Sequence, residues 1–259
     1  MPLRALVIGD IVGKLGRRTV ASLLPQIRRS HDIGLVIANG ENTAGGRGLT
    51  PATAEELYQS GIDVITSGNH IWENREIYPV LDDSRQPIIR PLNYPEGTPG
   101  RGVYQRDGVA VINVMGRTFM GAHLDCPFRA MDRALSEVRG CPVIIVDLHA
   151  EATSEKIGMG YYLDGRVSAV VGTHTHVPTA DARILPQGTA YVSDLGMVGA
   201  LHSVLGMDTE AVIQRFLTQL PNRFDPVDKG PAVFNSVLLE IDDQTGRAVR
   251  IERLDREVA

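Results

Sequence analysis

The chain has 259 residues, 43% of them hydrophobic, and a formal net charge of −5, with an isoelectric point near 5.8. That is enough apolar material for one sizeable core, and the acidic balance argues against a broad basic face for holding DNA or RNA. No stretch approaches the ~20 apolar residues that a membrane span needs.

Short apolar runs alternate with helical patterns along the chain. The first run is Leu3-Arg4-Ala5-Leu6-Val7-Ile8, too short and too quickly ended by Gly9-Asp10 to read as a secretory leader. Val20, Leu23, Leu24 and Ile27 then recur at helical spacing and predict a helix over 17–30. The cluster Arg17, Arg18, Arg28 and Arg29 on this segment reads as a solvated helix face. Leu35-Val36-Ile37-Ala38 is the second run, and a helix is expected to start at Thr50-Pro51, with Thr50 as cap and Pro51 in the first turn. Ile62-Asp63-Val64-Ile65 is the third run, followed by a helix over about 73–81 and a Pro-rich passage over 87–99. Further strands are expected at 109–114, 143–146 and 167–171. Late in the chain, 237–241 and 248–251 flank Asp243-Gln244-Thr245-Gly246 as a hairpin. Continuous β-branched runs suit strands buried on both faces of an α/β layered fold. The chain reads as a single domain over 1–259, with 87–131 as a possible cap or insert. Cys126 and Cys141 are expected as reduced thiols in a cytoplasmic protein.

The residues just after each apolar run carry the chemistry. After the first run comes Gly9-Asp10, after the second Asn39-Gly40-Glu41-Asn42, and after the third Gly68-Asn69-His70. The run at 143–146 leads into Asp147-Leu148-His149-Ala150-Glu151, and the run ending at Val171 leads into Gly172-Thr173-His174-Thr175-His176. In an open α/β sheet, ligands bind outside the carboxyl ends of the strands. A lone Gly-Asp is a turn, and a lone Asn is a turn or a cap. Five strand ends that all deliver carboxylate, amide oxygen or imidazole are a metal site, and that donor set suits Fe, Mn or Zn. Asp10, Glu41, Asn42, Asn69, His149, His174 and His176 exceed the three or so protein ligands of one catalytic ion, so two ions are expected, with the two oxygens of Glu41 as the natural bridge. The net positive site would suit an anion such as phosphate. Thr43-Ala44-Gly45-Gly46-Arg47-Gly48 lacks the Gly-Lys-Ser/Thr ending of a nucleotide-triphosphate loop. His70 is expected as the proton donor to a leaving oxygen.

These motifs resemble the calcineurin-like metallophosphoesterase superfamily, and within it the bacterial YmdB-like branch. The match rests on Gly9-Asp10-Ile11-Val12-Gly13, Ala38-Asn39-Gly40-Glu41-Asn42, Ser67-Gly68-Asn69-His70, Asp147-Leu148-His149-Ala150-Glu151 and Gly172-Thr173-His174-Thr175-His176. Val12 stands where the wider superfamily has His, and Glu41-Asn42 where it has a bridging Asp; both departures match the branch. The resemblance implies a four-layer α/β/β/α sandwich, two Fe or Mn ions, a homo-oligomer, and phosphodiesterase activity on cyclic nucleotides, the 2′,3′ form and also the 3′,5′ form, by attack of an activated water on phosphorus. It assigns Asp10, Glu41, Asn42 and His176 to one ion, and Glu41, Asn69, His149 and His174 to the other. Two other readings stand beside it: a phosphomonoesterase with the same metals, and a regulatory protein that binds a phosphorylated ligand with little turnover. The expected partner is a small phosphate ester, with neither membrane nor nucleic acid indicated. His123, Asp125, Pro127, Phe128 and Arg129 are expected as substrate-wall residues or as ordinary loop packing.

Overall fold

The computed structural model describes residues 2–259. In chain order it contains β1 (Leu3–Ile11), α1 (Gly13–Ser30), β2 (Leu35–Asn39), α2 (Pro51–Gln59), β3 (Val64–Thr66), α3 (Tyr78–Asp82), β4 (Val103–Arg106), β5 (Val109–Met115), α4 (Pro127–Glu137), β6 (Val143–His149), α5 (Thr153–Leu163) and β7 (Ala169–Thr173). The remainder is β8 (Arg183–Ile184), β9 (Ala190–Val192), β10 (Met197–Ala200), α6 (Thr209–Thr218), β11 (Ala232–Phe234), β12 (Ser236–Ile241), β13 (Ala248–Arg253) and β14 (Arg256–Val258).

The strands form two sheets. In the eight-stranded sheet β1 is central: it pairs in parallel with β2, antiparallel with β12 over Leu3–Ile8, and in parallel with β10 at Asp10 and Ile11. The six-stranded sheet runs β4-β5-β6-β7-β9-β8, parallel from β5 through β9. The alternation of side chains along each strand sends Ala5, Val7 and Ile37 of one sheet and Val111, Ile145 and Val171 of the other into a shared core between the sheets. The opposite faces pack outward. Leu6, Ile8 and Val36 meet Val20 and Leu24 of α1 and Leu57 of α2; Ile112, Val146 and Val170 meet Met131 of α4 and Met159 and Leu163 of α5. Both sheets are therefore buried on both faces, and the architecture is the expected four-layer α/β/β/α sandwich.

Several boundaries differ from the sequence expectation for identifiable reasons. The helix expected over 17–30 starts at Gly13, whose φ of +59° turns the chain out of β1. Thr50 caps α2 as expected, accepting from the Thr53 amide while the Thr53 hydroxyl accepts from the Thr50 amide. The helix expected over 73–81 is instead a 3-10 turn at Arg75–Ile77 followed by the short α3, because Pro79 has no N–H to give to the carbonyl four residues back. The hairpin of β12 and β13 is present, with Gly246 at φ +71° closing its turn. Within 87–131, β4 and β5 belong to the second sheet and α4 begins at Pro127, so only the segments around them lie off the framework. No helix among the described residues is long and apolar enough to cross a membrane.

Candidate metal centre

All seven expected ligands lie at the carboxyl ends of parallel strands. Asp10 is the penultimate residue of β1, Glu41 and Asn42 follow β2, Asn69 follows β3, His149 is the last residue of β6, and His174 and His176 follow β7. The first three strands belong to one sheet and the last two to the other, so the site straddles both.

Four donor atoms converge. His149 Nε2 lies 3.1 Å from Glu41 Oε1, 3.0 Å from Asn69 Oδ1 and 3.1 Å from His174 Nδ1. Ligand atoms at about 2.1 Å from one ion, set at right angles, are about 3 Å apart, so this spacing fits a common cation. The ligand atoms of Glu41, His149 and His174 all lie within 4.8 Å of one another. Beside this group, Asp10 Oδ1 and Asn42 Oδ1 are buried without a hydrogen-bond partner, although buried polar atoms are normally paired. Both are aimed by their other halves: Asp10 Oδ2 accepts the His174 amide, and Asn42 Nδ2 donates to the Gly46 carbonyl. His176 Nε2 stands 3.9 Å from Asp10 Oδ1. An orphaned carboxylate oxygen facing the His176 imidazole, and an orphaned amide oxygen on the residue after Glu41, are what a cation would satisfy.

The electrostatics agree. Burial opposes a charge on Glu41, but the charge and hydrogen bond of His149 outweigh it and hold the carboxyl at about 2. Burial equally opposes a cation at His149, and Glu41 and Asp10 overcome it, raising the imidazole to about 9. Burial, then the charge of His149, drive His174 down to about 3, leaving it a neutral ligand. Burial lifts Asp10 to about 6, against the pull of His176 and His149. In the metal-free chain the proton on His149 thus neutralises a negative pocket, in the place where a metal would do so.

Support for the ligands comes from residues that are not themselves donors. The Thr173 hydroxyl donates to Asp147 Oδ1 at 2.7 Å, which leaves its lone pair for His149 Nδ1 at 2.9 Å. That chain keeps the proton on Nδ1 and the Nε2 lone pair on the cluster. Asp147 also accepts from Thr66 and Asn39. Glu151 Oε2 does the same for His174, 3.1 Å from its Nε2. Asp194 accepts from the Thr175 amide and pairs with Lys156 at 2.6 Å, both residues 2% exposed. This anchor matters because His174 and His176 have φ of +101° and +64°, left-handed conformations that side chains other than Gly adopt only when the surroundings enforce them. Asp147 was legible in principle, since i and i+2 of a strand share a face; Asp194 follows β9, a strand too short to stand out as an apolar run.

Gly68 shows how tight the centre is: a Cβ there would lie 2.3 Å from the His149 ring and 2.4 Å from Glu41 Oε2. His70 donates its amide to Glu41 Oε2 and sets Nδ1 3.3 Å from Glu73 at the half-exposed rim. The glycine-rich loop acts through Gly46, whose carbonyl orients Asn42. Among the expected wall residues, Pro127 opens α4 and Phe128 packs edge-on against Tyr162, so these two serve helix packing; Asp125 pairs with Arg133. In the basic cluster, Arg17 pairs with Glu56 and Arg28 with Asp63.

Two stacked sheets with this donor cluster at their strand ends define a metallophosphoesterase-like fold, shared by a solved phosphatase structure. More narrowly, the chain belongs to the YmdB-like protein family, whose model matches residues 6–254. It is 50% identical to the 2′,3′-cyclic-nucleotide 2′-phosphodiesterase of Bacillus subtilis (strain 168), over 97% of this chain and 96% of that protein. Among solved structures, a hypothetical protein from Thermus thermophilus superposes with a TM-score of 0.92 at 46% identity, covering 98% of this chain and 99% of its own. A novel phosphatase from Mycoplasma pneumoniae also superposes with a TM-score of 0.92, at 33% identity, covering 99% and 94%.

Proposed function

We propose that this chain is a metal-dependent phosphodiesterase that hydrolyses 2′,3′-cyclic nucleotides. The observation that carries this reading is the convergence of Glu41, Asn69, His149 and His174 on one point, beside the orphaned oxygens of Asp10 and Asn42. The substrate class comes from the Bacillus subtilis relative. Glu41, Asn69, His149 and His174 would hold one cation, and Asp10, Asn42, His176 and the shared Glu41 a second; Fe and Mn suit the mixed oxygen and imidazole set. Such ions supply positive charge for a phosphate and acidify water near neutral pH. The chain's own residues do the rest. Thr173 and Asp147 fix the His149 tautomer, Glu151 orients His174, and Asp194 holds the His174–His176 loop. His70, with its Nδ1 toward Glu73 and its amide on Glu41, would give a proton to the leaving ribose oxygen.

The test is turnover of 2′,3′-cyclic AMP by purified protein, before and after chelation and after adding back Mn or Fe. Glu41→Gln removes the charge that two cations would share and should abolish turnover while leaving the fold. Wild-type rates in that variant would refute the bridging role. Because the Mycoplasma pneumoniae relative is described as a phosphatase, the same assay should include adenosine monophosphates; faster release of phosphate from these than opening of the cyclic ester would favour a monoesterase.

A further inference from the structure

Next to the metal centre lies a cleft of about 520 Å³ that no step above uses, bordered by His176, Pro178, Met197, Leu205, Val233 and Asn235. Its volume falls in the range of small-molecule sites, about 300–1,000 Å³. The cleft exists because β10, β11 and β14 continue the first sheet past β1. Met197 pairs with Asp10, so the cleft floor and the candidate centre share one strand end. His176 divides the two spaces: its Nε2 faces Asp10, and its Nδ1 is held 3.0 Å from the Leu205 carbonyl on the cleft rim.

Two features of the cleft suit it to a ligand. First, Asn235 is 7% exposed. Its backbone N–H bonds the Met197 carbonyl and its carbonyl accepts the Gly9 amide, whereas its side-chain amide has no hydrogen-bond partner among the described residues and borders the cleft. An amide that opens onto the cleft offers a ligand a donor and an acceptor together. Second, Val177 and Leu205 stand 53% and 44% exposed at the mouth, apolar surface that a flat ligand would cover.

We propose that this cleft is the nucleoside subsite: the base lies between Pro178, Leu205 and Val233, and the Asn235 amide reads a hydrogen-bonding edge of the base. The inference rests on the phosphodiesterase reading for its substrate class. It adds that selectivity for nucleotides over other phosphodiesters resides in the β10–β11 face, and not in the segment that carries His123 and Asp125. A base carries both an apolar face and paired donor and acceptor positions, which matches Pro178, Leu205 and Val233 beside the Asn235 amide; Asp255, Arg256 and Glu257 complete the lining with charge.

The probe that separates the two claims is adenosine, which has no phosphate and so binds without the metals. Saturation-transfer NMR on the metal-free protein should show the adenine protons in contact with wild type. The signal should fall at least fivefold in Asn235→Ala, which removes the amide, and in Val233→Trp, which fills the cleft. With metal-loaded protein, the ratio of kcat/KM for 2′,3′-cyclic AMP to that for bis(4-nitrophenyl) phosphate should fall at least tenfold in both variants. Adenosine contact equal to wild type in both variants would overturn the subsite. So would an unchanged selectivity ratio in proteins that still hydrolyse the cyclic nucleotide. If adenosine contact is lost in the variants but wild type hydrolyses no cyclic nucleotide, the subsite stands and the activity assignment falls.

Discussion

Thr173→Val tests whether the hydroxyl between Asp147 and His149 sets the metal site. Valine keeps the branched shape on β7 but removes the oxygen that accepts from His149 Nδ1 at 2.9 Å and donates to Asp147 at 2.7 Å. Both partners are essentially buried, at 0% and 2% exposure. Each loses a hydrogen bond at a typical penalty of about 1–3 kcal/mol, so the metal-free protein should lose about 2–6 kcal/mol in chemical denaturation. Asp147 keeps Thr66 and Asn39, which places the loss toward the lower end and within the 5–15 kcal/mol of ordinary domain stability. The functional effect is separate. Without the hydroxyl the ring is free to rotate and to take the other tautomer, and loss of such an outer partner lowers metal affinity about 10–100-fold. Metal affinity, measured by competition with a chromogenic chelator, should fall by that factor in Thr173→Val and return in Thr173→Ser. Unchanged affinity in a Thr173→Val protein that has lost stability would refute the tautomer argument and leave Thr173 a packing residue.

The same geometry sets three further outcomes. Gly68→Ala places a methyl 2.3–2.4 Å from His149 and Glu41, and should reduce turnover more than 100-fold with a folded circular-dichroism spectrum. Metal uptake should weaken as pH falls: His149, at about 9 in the metal-free chain, must lose its proton to bind, so affinity drops about tenfold from pH 8 to pH 7, and Asp10, at about 6, adds a second proton below that. Calorimetry in buffers of different ionisation heat would register close to one proton released at pH 7.5, and none if His149 were already neutral. Lys156→Met leaves Asp194 buried and unpaired, and should destabilise the protein by about 3–5 kcal/mol; Lys156→Met with Asp194→Leu should recover stability but not activity, because the Thr175 amide loses its acceptor.

The parts of the site that were legible in the sequence are those set by chain direction alone. A β-branched run that ends in Gly9-Asp10 or Gly68-Asn69-His70 marks a strand end, and parallel strands bring such ends together. The supporting residues were not legible in that way. Thr173 lies inside a motif but gains its role only from the position of Asp147 on the neighbouring strand, and the Lys156–Asp194 pair joins a helix to a loop across 38 residues. The same limit applies to the fold. The hydrophobic runs marked the interior strands β1, β2, β5, β6 and β7, whereas β10, β11 and β14 are three or four residues long and derive their order from pairing with one another and with β1. Pro79 shows the converse, a local rule that overrode a helical pattern.

The most direct test of the metal-centre assignment is a titration of metal-stripped protein with Mn while the opening of 2′,3′-cyclic AMP is followed. The arrangement of Glu41, His149 and His174 beside the orphaned Asp10 and Asn42 predicts no product from the stripped protein, and a rate that rises to a plateau near two equivalents per chain. Hydrolysis that survives complete metal removal, or none at any metal load, would contradict it.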